Sequence, residues 1–202
     1  SRPSVASVCF DWCCERSFIR DRDEVVESLR DLIDRVFGST IHTLVVPFFR
    51  KNALAGVDEL MEALQIIQDS KLDEYAAGNG VRLALECDLP AVDIRHALER
   101  ARLKSVACCY DFGNAAAKGY VLADEIRTLG SLIAHVHVKD RSSEGENVSI
   151  GEGVVDFLDC FRGLAKIGYS GLMILETRYY DRPKDDMAAN LDKVQSVLRS
   201  CV

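Results

Sequence analysis

Apolar residues along the chain fall into two alternating patterns. After Asp23, the residues Val25, Val26, Leu29, Ile33, Val36 and Phe37 recur three and four apart, one face of a helix that Gly38 stops. Between such stretches lie short uninterrupted apolar runs, the first of them strand-like from Ser4 to Phe10. The run from Ile41 to Phe49 is rich in β-branched residues and lacks strict alternation, so it predicts a strand covered on both faces, as in a parallel sheet. A second helix carries Val57, Leu60, Met61, Leu64 and Ile67, and the polar stretch around Gly78 to Gly80 leads to a strand over Val81 to Glu86. The alternation continues with a helix over Pro90 to Leu103, a strand over Ser105 to Tyr110, a helix over Ala115 to Leu129 and a strand over Leu132 to Val138. A polar loop through Ser142, Gly145 and Asn147 precedes a helix from Val155 to Ile167, a strand from Leu172 to Glu176 and a closing helix from Lys184 to Ser200.

These elements make six strand-helix units. Strict alternation of this kind builds a parallel sheet with right-handed crossovers, either closed as a barrel or open and doubly wound, and periodicity does not choose between them. Composition narrows the functional classes. The chain has 202 residues, 48% hydrophobic, which is enough to bury a core as one domain. Lys and Arg number 25 against 32 Asp and Glu, a net charge of -7 that repels a nucleic-acid backbone. No apolar run reaches the roughly 20 residues that cross a bilayer, and residues Ser1 to Phe10 lack a signal-peptide core, so a cytoplasmic protein with no membrane partner is expected. The eight cysteines include the adjacent pairs Cys13-Cys14 and Cys108-Cys109, without metal-knuckle spacing, and are expected to be free thiols.

The informative chemistry lies at strand ends. Glu86, Asp111, His137 and Glu176 each close a predicted strand, spaced 25, 26 and 39 residues apart, the last interval being one unit plus the polar loop. In a parallel barrel all C-terminal strand ends meet on one face, so these four side chains would converge without being sequence neighbours. Three carboxylates and an imidazole suit one divalent ion such as Mn, Mg, Co or Zn. His135, two residues earlier on the same strand face, is expected to be packed behind the site, and His42 and His96 to be structural.

The segments ALE, YDFGN, HVHVKD, IGEGVVDF and GYSGLMILE, from Val81 to the end, occur in an order that resembles the xylose-isomerase-like sugar phosphate isomerase and epimerase superfamily. The Asp-x-Gly-Asn and His-x-Lys-Asp signatures are most similar to the L-ribulose-5-phosphate 3-epimerase type. The resemblance implies a TIM-type barrel in which Glu86, Asp111, His137 and Glu176 hold one divalent metal. Such a barrel has eight units and about 250 residues. Because the ligand-bearing strands resemble the last four of the family, the two units not counted here are expected to belong before Ser4, leaving an incomplete barrel whose first strand exposes an edge open to association, a homo-oligomer included.

The function expected is isomerisation or epimerisation of a small sugar, ketose or sugar phosphate through an enediolate, with Glu86 and Glu176 as the acid-base pair. A metal-dependent lyase or dehydratase sharing the same enolate, and a non-catalytic shortened barrel, are the alternatives. An apurinic-endonuclease type of site needs more than the four histidines present. Lys139 and Arg178 follow His137 and Glu176 by two residues and so point to the same side, toward substrate oxygens or into solvent; Asn114 binds a substrate hydroxyl or caps a helix. Glu152, in the Gly151-Glu152-Gly153 loop, is expected to be solvated.

Overall fold

The computed structural model describes residues 4–177 and 183–201, and the chain divides into two compact units, Ser1–Cys109 and Tyr110–Val202. Six strands enter parallel pairs, the number that the periodicity predicts. In the first unit β1 (Val8–Cys9), β2 (Thr43–Pro47), β3 (Arg82–Glu86) and β4 (Val106–Asp111) pair in chain order, with Leu44 opposite Val8 and Leu83, and Leu85 opposite Cys108. The last two residues of β4 belong to the second unit. Every residue of β2 is buried, as an uninterrupted apolar strand requires. β1 is shorter than the expected Ser4 to Phe10: only two residues join the ladder and Val5 is exposed. Among the described residues β1 has one strand neighbour, so its outer edge is open.

Helix α1 (Arg22–Val36) turns Val25, Leu29 and Ile33 inward, and α2 (Val57–Asp69) does the same with Leu60, Leu64 and Ile67. Each such side chain contributes about 1.5–3 kcal/mol on burial. The polar connection before β3 contains a further helix, α3 (Leu72–Gly78), that periodicity alone did not separate from α2. Lys71 enters it with φ 56°, and the buried Asp73 of α3 accepts hydrogen bonds from the Lys104 and Ser105 N–H groups at 3.0 and 2.7 Å and from the Ser105 hydroxyl at 2.6 Å. α3 thereby anchors the chain entering β4. Burial works to raise the Asp73 carboxyl, but the bonds from Ser105 and Lys104 outweigh it and leave it below its ordinary value. α4 (Ala91–Ala101) stops short of Leu103, at Arg102 in the left-handed conformation, φ 52°.

In the second unit β5 (Ile133–Val138) pairs in parallel with a strand over Leu172–Leu175, His137 opposite Ile174. The polar loop between them holds a small antiparallel ribbon, so these strands are β6 (Asp140–Arg141), β7 (Asn147–Val148) and β8 (Leu172–Leu175). The helix expected from Ala115 to Leu129 is two helices, α5 (Phe112–Ala117) and α6 (Leu122–Leu129). Gly119, at φ 77°, breaks the run: a left-handed residue cannot continue a right-handed helix. α7 (Phe157–Lys166) is capped by Asp156, which accepts from the Asp159 N–H at 3.0 Å. Phe112, Phe157 and Phe161 pack with ring centroids 5.8–6.3 Å apart. The closing helix is α8 (Pro183–Arg199). β8 is as apolar as β2, yet its Leu172 and Met173 are each 39% exposed.

No helix among the described residues is long and apolar enough to cross a membrane. All eight cysteines are free thiols, and burial pushes the Cys13, Cys14, Cys87 and Cys160 thiols up, away from the reactive thiolate.

Candidate metal centre

Asp111 ends β4 and caps α5. Its Oδ1 accepts the Asn114 N–H at 2.7 Å, which leaves Oδ2 as the oxygen facing the rest of the centre. His137 stands near the end of β5, and its Nδ1 lies 3.7 Å from Asp111 Oδ2 and 3.0 Å from Glu176 Oε2. Glu176 follows β8, tied to β5 by its N–H on the Val138 carbonyl at 3.1 Å, and its side chain is about half exposed. One donor atom from each of Asp111, His137 and Glu176 lies within 4.8 Å of the others, a possible metal site. Glu86 is the last residue of β3, buried, paired with Pro47 and accepting the Phe48 N–H on its carbonyl at 2.8 Å. It occupies the strand-end position expected from the sequence.

Lys139 departs from one expectation. It is 5% exposed rather than solvated, and its ammonium bridges Glu176 Oε1 at 2.6 Å and Asp111 Oδ2 at 3.1 Å. Gly113 makes room for it: a Cβ there would meet Lys139 Cγ at 2.9 Å. Burial works to lower the Lys139 ammonium, but Asp111 and Glu176 outweigh it and hold it above its ordinary value. The carboxyl of Glu176 is raised by burial and lowered more strongly by the hydrogen bond from His137 and the charge of Lys139, which hold it at about 2. His135 is fully buried, its ring edge-on to that of His137 with centroids 5.3 Å apart; burial and the neighbouring His137 push it down to about 4, so it packs as a neutral ring.

Asn114 is buried, its backbone held by the Asp111 cap. Arg178 lies outside the described residues. Glu152 is exposed, as expected, 3.7 Å from the Lys193 ammonium. The residue that sequence reasoning did not single out is Asp140. It is fully buried, and its carboxylate accepts the N–H groups of Arg141, Gly151, Gly153 and Val155 at 2.8–3.2 Å, folding the glycine loop back against the end of β5. The glycines were the signal: a Cβ at Gly153 would sit 2.2 Å from the Arg141 carbonyl oxygen.

Parallel strand-helix units with carboxylates and an imidazole at the strand ends define a barrel-type α/β protein with a possible metal centre. The chain belongs to the xylose isomerase-like TIM barrel family, whose model matches residues 19–201. Its six parallel strands are six of the eight such a barrel holds. L-ribulose-5-phosphate 3-epimerase UlaE of Escherichia coli is 36% identical over 92 residues, 45% of this chain and 31% of that protein. The curated relatives are matched over 31% to 58% of their own lengths, so the chain spans less than two thirds of them. Among solved structures, the IolI protein with a bound zinc atom aligns over 100% of this chain and 78% of its own at 14% identity and TM-score 0.78. The 3-keto-D-glucoside 4-epimerase YcjR of E. coli aligns over 96% and 79% at 21% identity and TM-score 0.72.

Proposed function

We propose that this chain forms the metal-bearing part of a divalent-metal-dependent isomerase or epimerase of a small sugar, ketose or sugar phosphate. The observation that carries the reading is the convergence of Asp111, His137 and Glu176, whose donor atoms lie within 4.8 Å of one another. Two carboxylates and an imidazole are a donor set for a hard or borderline divalent ion, so the residues fit the group. Glu86, from the equivalent strand end, is the fourth ligand in this reading. Support for the chemistry comes from relatives described as sugar epimerases and from a fold neighbour that holds zinc.

A divalent ion held by Asp111, His137 and Glu176 would supply Lewis acidity toward a carbonyl oxygen and the negative charge that develops on it. The chain's own residues do the rest. Glu86 and Glu176 are the acid-base pair that removes and returns the proton at the carbon beside the carbonyl. A carboxyl held at about 2, as that of Glu176 is, stays ionised at neutral pH. Asp111 and His137 fix the ion, while Asn114, Lys139 and Arg178 bind substrate oxygens. The test is turnover of small ketoses and their phosphates in deuterated water by the protein carrying this chain. Deuterium is expected at the carbon beside the carbonyl, and Glu176→Gln should lower turnover by on the order of a hundredfold. Undiminished turnover by that variant overturns the mechanism.

A further inference from the structure

We infer that Lys139 is a built-in counter-cation that weakens and tunes divalent-ion binding at the centre of Asp111, His137 and Glu176. The inference rests on the metal-dependent reading above and deepens it by adding a positioning residue. Three observations place the ammonium within the ligand set rather than beside it.

First, the oxygens are shared. Asp111 uses Oδ1 to cap α5, at 2.7 Å from the Asn114 N–H, so Oδ2 is the oxygen it has to offer an ion, and Lys139 Nζ lies 3.1 Å from that same Oδ2. On Glu176 the ammonium holds Oε1 at 2.6 Å, while Oε2 faces His137 Nδ1 at 3.0 Å. An ion taking His137 Nδ1, Asp111 Oδ2 and Glu176 Oε2 therefore binds beside a positive charge that draws on both of its carboxylates.

Second, the lysine has no easy alternative position. Its side chain is 5% exposed, and Gly113 presses on its stem closely enough that a Cβ would come within 2.9 Å of Cγ and 3.2 Å of Cβ. The next residue, Asp140, is fixed by four backbone N–H groups, which denies the backbone at Lys139 the freedom to swing the head away. Third, the charges offset. Of the two negative charges that Asp111 and Glu176 bring, Lys139 cancels one, and its removal restores both for an ion to neutralise. Asp111, His137 and Lys139 are buried and Glu176 is about half exposed, so like charges a few ångströms apart are only partly screened and the ammonium lowers affinity for any divalent ion.

The measurement is calorimetric titration of the protein with Mn2+ and with Zn2+ alone, without substrate. Lys139→Met and Lys139→Gln remove the charge and should each tighten binding by about tenfold or more. Lys139→Arg keeps the charge and should stay within about threefold of the unsubstituted protein. A structural role for Lys139 predicts the opposite sign, because a damaged site binds more weakly. Unchanged or weaker binding in whichever neutral variant folds overturns the inference while leaving the metal-dependent reading intact. Binding that is seen only after the charge is removed supports the inference and tells against the proposed function. No binding of either ion by the unsubstituted protein or by the neutral variants overturns both.

Discussion

At the scale of single residues, the four strand-end positions were legible because a barrel repeats one strand and one helix per unit. Glu86, Asp111 and His137 are spaced by that repeat, and the structure sets each at or near the end of its strand. Lys139 was legible only as a residue on the same side as His137. Its burial depends on Gly113, whose partner lies 26 residues downstream and is identified only by how closely the two approach. Asp140 is similar, since its backbone partners at Gly151, Gly153 and Val155 meet it only once the loop has folded back. Asp140→Ala leaves those N–H groups without their acceptor, so urea unfolding should show a loss of about 2–4 kcal/mol. Asp111→Ala and His137→Ala remove proposed ligands, and calorimetric titration with Mn2+ should show affinity falling by on the order of a hundredfold.

At the scale of elements, periodicity found the long helices and strands and erred where a local conformation overrode it. The continuous apolar face from Ala115 to Leu129 concealed the break at Gly119, and the polar segment before β3 concealed α3, which the Asp73 bonds hold in place. The end of α4 exposes a residue the turn does not favour. Arg102 sits at φ 52°, where a side chain is strained and glycine is not, so Arg102→Gly should raise stability by about 1 kcal/mol in thermal or urea unfolding. Asp73 adds a pH dependence with a definite sign. Its folded carboxyl lies below the ordinary 3.8, so its contribution is present above that value and lost as pH falls below it through the folded value. Acid titration of stability should show Asp73→Asn less stable at neutral pH and less steeply weakened below about pH 4 than the unsubstituted chain. Parallel loss at every pH would remove this role.

At the scale of the whole molecule, the class of fold was legible because alternation of strand and helix leaves few topologies, and the family motifs selected among them. The boundary between the two compact units, at Cys109 and Tyr110, carries no shift in composition or glycine-rich linker and falls inside β4, an apolar strand up to its closing Asp111. That boundary makes ion binding readable as stability. Asp111, His137 and Glu176 all belong to the unit Tyr110–Val202, so an ion that binds them in the folded state stabilises that unit by mass action. With free ion at about a hundred times its dissociation constant the gain is about 2.7 kcal/mol. For a chain of this size that corresponds to a rise of roughly 5–10 °C in the midpoint. Scanning calorimetry with Mn2+ should show the rise, chelation should reverse it, and hydrogen exchange should place the added protection in β5. His137→Ala should abolish the shift without changing the midpoint recorded under chelator by more than a few degrees. A midpoint that ignores saturating ion would mean that these three side chains hold no metal in the folded chain.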